Sequence, residues 1–188
     1  MHYKCLLFTK EFPTEEMISD ILRPFNEDVI YADCDGGSVP FVIAWDWYQI
    51  GGRYNGSLKL DVASQENMKK YGINYYSQNS RNGRLFWSYL LTKMNGRPKP
   101  GTLSFEEDYF GSMGLHDGWL YVDGGAVSDI TNINGVGCYC FVDSNGEPFS
   151  RSIWDGSNHV ETENFDKMLH ETITKNNDGF VTVVDLHR

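Results

Sequence analysis

Apolar and polar positions recur with a regular period near the N-terminus. Residues 3–8 form a β-prone apolar run, which predicts a strand. Residues 13–16 predict the start of a helix, because proline and acidic side chains are favoured in a first helical turn. The apolar residues that follow at helical spacing are Met17, Ile18, Ile21 and Leu22. Pro24 then predicts the helix end, and residues 29–32 predict a second strand.

The last third of the chain carries the clearest pattern. Residues 138–143 predict a strand, Ser144-Asn145-Gly146 a hairpin turn and residues 147–154 the returning strand. A helix is predicted from Thr162, with an apolar face made of Phe165, Met168, Leu169 and Ile173. Residues 180–184 are almost continuously apolar, which predicts a strand with both faces covered.

These elements together predict an α+β fold, in which an antiparallel or mixed sheet carries its helices mainly on one face. At 188 residues the chain suits one domain over residues 1–188, with a less regular inserted region at about 64–135. Residues 58–60 just before that region predict a short strand. Inside it, residues 85–94 predict a helix, residues 96–101 a hinge and residues 119–122 a strand.

The densest stretch of the chain is residues 45–54, which read Trp-Asp-Trp-Tyr-Gln-Ile-Gly-Gly-Arg-Tyr. Residues 41–45 predict a strand that leads into it. In one interpretation, a tight glycine turn joins two strands, the aromatic rings enter the core and Asp46 pairs with Arg53. In the other, the turn presents Arg53 beside aromatic faces as a pocket for an anionic or planar ligand. The ligand-binding residues would then be Asp46, Trp47, Tyr48, Gly51, Gly52 and Arg53.

Charge and cysteine content limit the classes of partner. The net charge of −10 disfavours direct nucleic-acid binding through a broad basic surface. It suits either an ordinary acidic surface or the approach to a basic groove on another protein. The four cysteines have no zinc-site spacing, and no apolar run is long enough to span a membrane. We therefore expect a cytoplasmic protein with reduced cysteines, no membrane, no metal and no cofactor.

Two segments carry a resemblance to a known group of proteins. The chain reads Asp-Trp-Tyr-Gln-Ile-Gly-Gly-Arg-Tyr over residues 46–54 and Thr-Val-Val-Asp-Leu-His over residues 182–187. Both resemble segments of a family of small bacteriophage and bacterial proteins, in which Trp is usual at the position of Tyr54. The resemblance implies a phage or mobile-element setting, and the host cell cytoplasm as the location. It brings no activity with it.

Five histidines are present, and two of them are candidates for catalysis together with a neighbouring aspartate. His116 precedes Asp117 in a glycine-flanked stretch, and Asp185 and His187 follow the strongest predicted strand. Because residues two apart on a strand share a face, Asp185 and His187 would point to the same side. The alternative is that Asp185 ends a strand and His187 frays with the terminus. The candidate catalytic residues are His116, Asp185 and His187, yet no established catalytic motif is present.

Three functional hypotheses follow. The first is an accessory protein that acts by binding, either inhibiting a host defence protein or sequestering a nucleotide-like anionic ligand. The second is a small hydrolase or transferase acting on a phosphorylated or nucleotide-like compound. The third is a structural or virion-associated domain, whose exposed edge strand would form a homo-oligomer. The absence of a catalytic motif favours the first hypothesis over an enzyme.

Overall fold

Strand β1 (His2–Thr9) lies inside a mixed sheet in the computed structural model, which describes residues 1–11, 13–32, 39–54, 56–61, 115–116 and 119–188. The other strands are β2 (Trp47–Ile50), β3 (Leu58–Asp61), β4 (Leu115–His116), β5 (Trp119–Val122), β6 (Gly124–Ala126), β7 (Cys140–Val142), β8 (Pro148–Ser150), β9 (Ser152–Trp154), β10 (His159–Glu161) and β11 (Phe180–His187). The helices are α1 (Glu15–Leu22), α2 (Glu27–Ala32) and α3 (Phe165–Lys175).

The main sheet has the order β2-β11-β1-β7-β8, with β6 also paired to β11. Strands β1 and β7 are parallel, and the other neighbours in this sheet are antiparallel. Strands β9 and β10 form a separate pair, and β3, β5 and β4 form a second sheet. The α+β class with a mixed sheet is therefore confirmed.

The two faces of the main sheet are both apolar over most of their area. One face carries Leu6, Phe8 and Val183, which pack against Phe165, Leu169 and Ile173 of α3. The opposite face carries Cys5, Leu7 and Val184, which pack against Ile18 and Leu22 of α1. Where one-sided cover was expected, the structure places one helix on each face. The reason is that both faces of β1 and β11 are buried, and each apolar face needs its own cover.

Several predicted elements are confirmed by the described residues. Strand β11 is buried at every position from Val181 to Leu186, as its continuous apolar pattern predicts. Helix α1 is capped by Thr14, whose hydroxyl accepts a hydrogen bond from the Met17 N–H at 3.1 Å. The hairpin β7–β8 turns at Gly146, with a φ of +87°. The predicted return over 147–154 divides at Arg151 into β8 and β9.

Two predicted strands are wrong. Residues 29–32 belong to helix α2, because the Asn26 side chain caps that helix by accepting from the Asp28 N–H at 2.9 Å. Residues 41–45 make only isolated bridges, between Phe41 and Trp154 and between Trp45 and Asn26. Residues 41–45 are apolar because this segment covers the sheet, with the side chains of Ile43 and Ala44 buried.

The predicted helix at 85–94 and hinge at 96–101 lie outside the described residues, as does most of the proposed inserted region. The described parts of that region include β5, as predicted, and β6, which joins the main sheet. Within the described ranges, no helix has the length and hydropathy to cross a bilayer. The cysteines described, Cys5, Cys138 and Cys140, are free and buried.

We expect Phe141→Ala to lower the free energy of unfolding by about 3–5 kcal/mol. Phe141 is fully buried and its ring contacts those of Phe8, Phe149 and Phe165, so truncation leaves a cavity between the sheet and α3. Urea unfolding measures the loss. Val160→Ala is the matched control, because Val160 is 50% exposed and should change stability by less than about 0.5 kcal/mol. Equal effects of the two substitutions would contradict this assignment of the core.

Candidate functional site

One end of a buried sheet face is polar, and we call it the polar face. The register pairs His2 with His187 and Lys4 with Asp185 across β1 and β11. The same register pairs His187 with Trp47 and Asp185 with Gln49 across β11 and β2. Directly paired residues share a face, so the polar face consists of His2, Lys4, Trp47, Gln49, Asp185 and His187. These residues form two cross-strand rows, His2–His187–Trp47 and Lys4–Asp185–Gln49. The rows lie about 7 Å apart along the strands.

Asp185 is the buried anchor of the polar face. Its side chain is 1% exposed, and its two oxygens lie 3.0 and 3.1 Å from Nδ1 of His2. Its Oδ2 also accepts a hydrogen bond from the backbone N–H of Arg53 at 2.9 Å. A buried carboxylate needs such donors, because burial without them carries a large desolvation cost. Asp185 therefore ties the N-terminal strand and the Gly-Gly-Arg turn to the C-terminal strand.

A second carboxylate–imidazole pair lies beside the first and is exposed. Oδ1 of Asp46 lies 2.7 Å from Nδ1 of His187, and this hydrogen bond is the main cause that lowers the pKa of Asp46. The Trp47 ring stacks on the His187 ring, with centroids 5.2 Å apart and planes at 14°. The His2 ring meets both edge to face, at 5.2 Å from Trp47 and 4.8 Å from His187. Three aromatic rings thus form one cluster at the end of the sheet.

The glycine turn after β2 passes too close to two carboxyl groups to accept a side chain. Gly51 and Gly52 have φ values of +68° and +51°. A Cβ on Gly51 would lie 2.4 Å from Oδ2 of Asp123, and one on Gly52 would lie 2.4 Å from Cβ of Asp185. Glycine is required here for both conformation and close approach. The turn therefore lies between two buried aspartates, and its next residue is Arg53.

Asp123 holds the other side of this turn. Its side chain is buried, and Oδ1 accepts a hydrogen bond from the Gly56 N–H at 2.8 Å. Burial raises the pKa of Asp123 to about 7, and the hydrogen bond from Gly56 offsets only part of that effect. A protonation change at this carboxyl group is therefore coupled to folding near neutral pH.

Two further cationic side chains lie at the polar face. Arg53 is exposed, and among the described residues its guanidinium makes no hydrogen bond or ion pair. Nζ of Lys4 lies 5.4 Å from the centroid of the Tyr54 ring, and partial burial lowers the pKa of this lysine. The Tyr54 hydroxyl donates to the backbone carbonyl of His2 at 3.1 Å. An acidic protein thus gathers cationic and imidazole side chains around one exposed indole.

The structure brings together most of the ligand-binding residues predicted from the sequence. Asp46, Trp47, Gly52 and Arg53 surround the polar face, and Gly51 fixes the turn above Asp123. Tyr48 leaves the site, because strand alternation turns it to the opposite face, where its ring contacts that of Trp45 at 5.1 Å. One of the two interpretations paired Asp46 with Arg53, whereas in the structure Asp46 pairs with His187.

The predicted catalytic candidates divide in the same way. Asp185 and His187 share one face of β11, and both contact groups of the Asp46–Arg53 stretch. His187 is held by Asp46 and Trp47 rather than frayed. His116 belongs to β4 of the second sheet, and its side chain lies outside the described part of the structure. Among the described residues, no three His, Cys, Asp or Glu side chains are grouped as metal ligands.

Sequence reasoning missed His2, Lys4 and Asp123. A signal for the first two is present in β1, where polar residues at 2 and 4 precede apolar residues at 6 and 8 on the same face. That pattern predicts a sheet face that changes from polar to apolar along its length. Asp123 has no such signal, because its role depends on the backbone of Gly51 and Gly56, far from it in sequence.

We expect Gly52→Ala to lower the free energy of unfolding by about 2 kcal/mol or more, because the new Cβ meets Asp185 and the backbone conformation is left-handed. Urea unfolding gives the value. Gly135→Ala is the control, since its Cβ would meet nothing within 4 Å. A Gly52→Ala protein as stable as wild type would show that the turn does not pack on Asp185.

We expect Asp123→Asn to change how stability depends on pH. The pKa of Asp123 is raised to about 7, so the folded chain keeps a proton that the unfolded chain releases above about pH 4. This contribution to stability is complete below about pH 4 and is lost as the pH rises to about 7, by at most about 1.4 kcal/mol per pH unit. Urea unfolding of both proteins should be measured from pH 4.5 to 8. The free energy of unfolding of the variant should rise relative to that of wild type up to about pH 7, and the difference should be constant above that pH. Parallel pH profiles would refute the assignment.

Comparison with known proteins identifies no relative of this chain. No protein-family model matches the chain, and no curated protein or solved structure matches it either. Function must therefore be argued from the polar face itself.

Proposed function

We propose that the protein is a phage or mobile-element accessory protein that binds a nucleotide-like anionic ligand on the polar face. The observation that carries the proposal is that the polar face exposes the Trp47 ring and binds, through Asp185, the backbone of Arg53, whose side chain is also exposed. An indole offers a flat stacking surface and a guanidinium a charged donor, and a nucleotide supplies both a planar base and an anion.

The placement of Trp47 and Arg53 suits such a ligand. The indole contacts both imidazole rings, yet Trp47 is still 42% exposed, which leaves part of the ring for stacking with a base. The backbone N of Arg53 lies 2.9 Å from the Asp185 carboxylate. Asp185 is in the cross-strand row next to the row that contains Trp47. The flexible reach of its side chain spans that row spacing of about 7 Å. A base on Trp47 and a phosphate on Arg53 therefore have compatible separations.

The charge distribution also supports a small anion rather than a nucleic acid. The chain carries a net charge of −10, so long polyanions are repelled by its surface as a whole. Arg53, Lys4 and the two imidazoles provide local positive charge and hydrogen-bond donors at one place. In a phage setting, binding of this kind would remove a nucleotide signal from the host cytoplasm.

A second candidate is inhibition of a host protein. Arg188 joins the polar face to further exposed apolar side chains, because its guanidinium bonds the Tyr31 hydroxyl and its carbonyl accepts from the Met1 amine. Tyr31 is 39% and Met1 77% exposed. Exposed side chains that are linked in this way are typical of a protein-contact surface.

We expect isothermal titration with the 3′,5′-cyclic monophosphates of adenosine, guanosine, cytidine and uridine to give saturable heat with at least one of them. Arg53→Ala and Trp47→Ala should each weaken that affinity about tenfold or more, because one loses a charge-assisted hydrogen bond and the other a stacking surface. Arg23→Ala and Val160→Ala are matched controls, since both side chains are exposed outside the polar face.

Unfolding curves of the four variants separate lost binding from lost folding. Absence of heat with every nucleotide would reject the nucleotide proposal. A host protein that remains bound through native mass spectrometry and is lost in Trp47→Ala would then favour the second candidate.

A further inference from the structure

Two carboxylate–imidazole pairs lie side by side on the polar face. Nδ1 of His2 is held by the buried Asp185, and Nδ1 of His187 is held by the exposed Asp46. We propose that these pairs hydrolyse a nucleoside phosphodiester, with His2 as general base and His187 as general acid. The inference rests on the proposed nucleotide binding and adds a reaction to it.

The hydrogen bonds leave the reactive atom of each imidazole available. Because Nδ1 of each ring faces a carboxylate, Nε2 is the nitrogen left for a ligand. Nε2 of His187 has the Met1 amine at 3.5 Å, the limit of hydrogen-bond distance, and that amine has a closer partner in the Arg188 carbonyl. The ring centroids are 4.8 Å apart and the planes are inclined at 69°, so the two imidazoles belong to one site.

The two pairs differ in geometry, and the difference assigns the roles. The 2.7 Å contact between His187 and Asp46 has the length of a charge-assisted bond between an imidazolium and a carboxylate. The same hydrogen bond lowers the pKa of Asp46, which favours the carboxylate form of that side chain. Both oxygens of the buried Asp185 contact Nδ1 of His2, at 3.0 and 3.1 Å, and hold the ring in the orientation that leaves Nε2 to accept a proton. We therefore assign His187 as the acid and His2 as the base.

Charge selects a diester over a monoester. The site holds two cationic residues, Arg53 and Lys4, and two carboxylates, Asp46 and Asp185, so its positive excess is small. A phosphodiester carries one negative charge, whereas a monoester carries close to two near neutral pH. The exposed part of the Trp47 ring supplies the stacking surface for a nucleoside attached to that diester.

The step balances with water as the only co-reactant. The water oxygen forms a bond to phosphorus while Nε2 of His2 takes a proton from that water. The bond from phosphorus to the departing ester oxygen breaks, and Nε2 of His187 gives that oxygen a proton. The products are a phosphomonoester and an alcohol, and the two imidazoles then exchange protons with solvent. Arg53 is placed to stabilise the charge that develops on the non-bridging oxygens.

The test uses the whole chain and two diesters, 3′,5′-cyclic AMP and bis(p-nitrophenyl) phosphate. Wild type should convert the first to AMP and release p-nitrophenol from the second. His2→Gln should lower kcat/KM for both diesters by about 100-fold or more, since the base is needed for either substrate. His187→Gln should lose at least about tenfold more on cyclic AMP than on the p-nitrophenyl ester, because only the alkoxide leaving group depends on protonation.

His170→Gln is the matched control, since His170 is exposed on α3, away from the polar face, and should keep wild-type kinetics. Asp46→Asn is a second variant, at an exposed position where the substitution should leave folding intact. Like His187→Gln, it should lower kcat/KM more for cyclic AMP than for the p-nitrophenyl ester. Nucleotide binding by titration without turnover of either diester would overturn the hydrolysis and leave the binding proposal standing. Turnover that is insensitive to His2→Gln would also overturn the proposed hydrolysis. If wild type shows neither binding nor turnover, both the binding and the hydrolysis proposals are rejected.

Discussion

The buried carboxylate of Asp185 organises the polar end of this molecule. It accepts from His2 at the start of the chain and from the backbone of Arg53 in the central stretch, while itself lying close to the end of the chain. Because its side chain is 1% exposed, neither bond can be replaced by bulk water without opening the sheet. Three segments that are far apart in sequence are thereby held in one arrangement, and the Gly52 backbone can approach only because it has no side chain.

Asp123 gives the same turn a second buried contact, with different consequences. Asp123 packs against Gly51, and Asp185 packs against Gly52. The turn is therefore enclosed by two aspartate side chains. Burial raises the pKa of Asp123 to about 7, which makes its proton part of the folded state over the mildly acidic range. The position of Arg53 thus depends on two carboxyl groups, one anchored by an imidazole and a backbone donor, the other anchored by the Gly56 backbone.

A change of polarity along one sheet face explains how a core and a site share the same strands. Leu6 and Val183 lie deep in the core beneath α3, whereas His2 and His187 on the same strands and the same face form the site. The site is therefore built on paired strands rather than on loops, which restricts the motion of its imidazole rings. Trp47 completes the transition, since it joins the sheet by its backbone and exposes its ring.

Periodicity in the sequence determined the elements whose burial is regular. It predicted β1, β11, the hairpin at Gly146 and the apolar faces of α1 and α3, because alternation and helical spacing reflect burial directly. It was wrong at 29–32 and 41–45, where a local cap and a covering role outweighed β propensity. Composition and motif also indicated Asp46, Trp47, Arg53, Asp185 and His187 as site residues. Only the tertiary structure decided that His2 and Lys4 join them, that Asp46 pairs with His187, and that Tyr48 faces away, because each depends on strand register between segments more than a hundred residues apart.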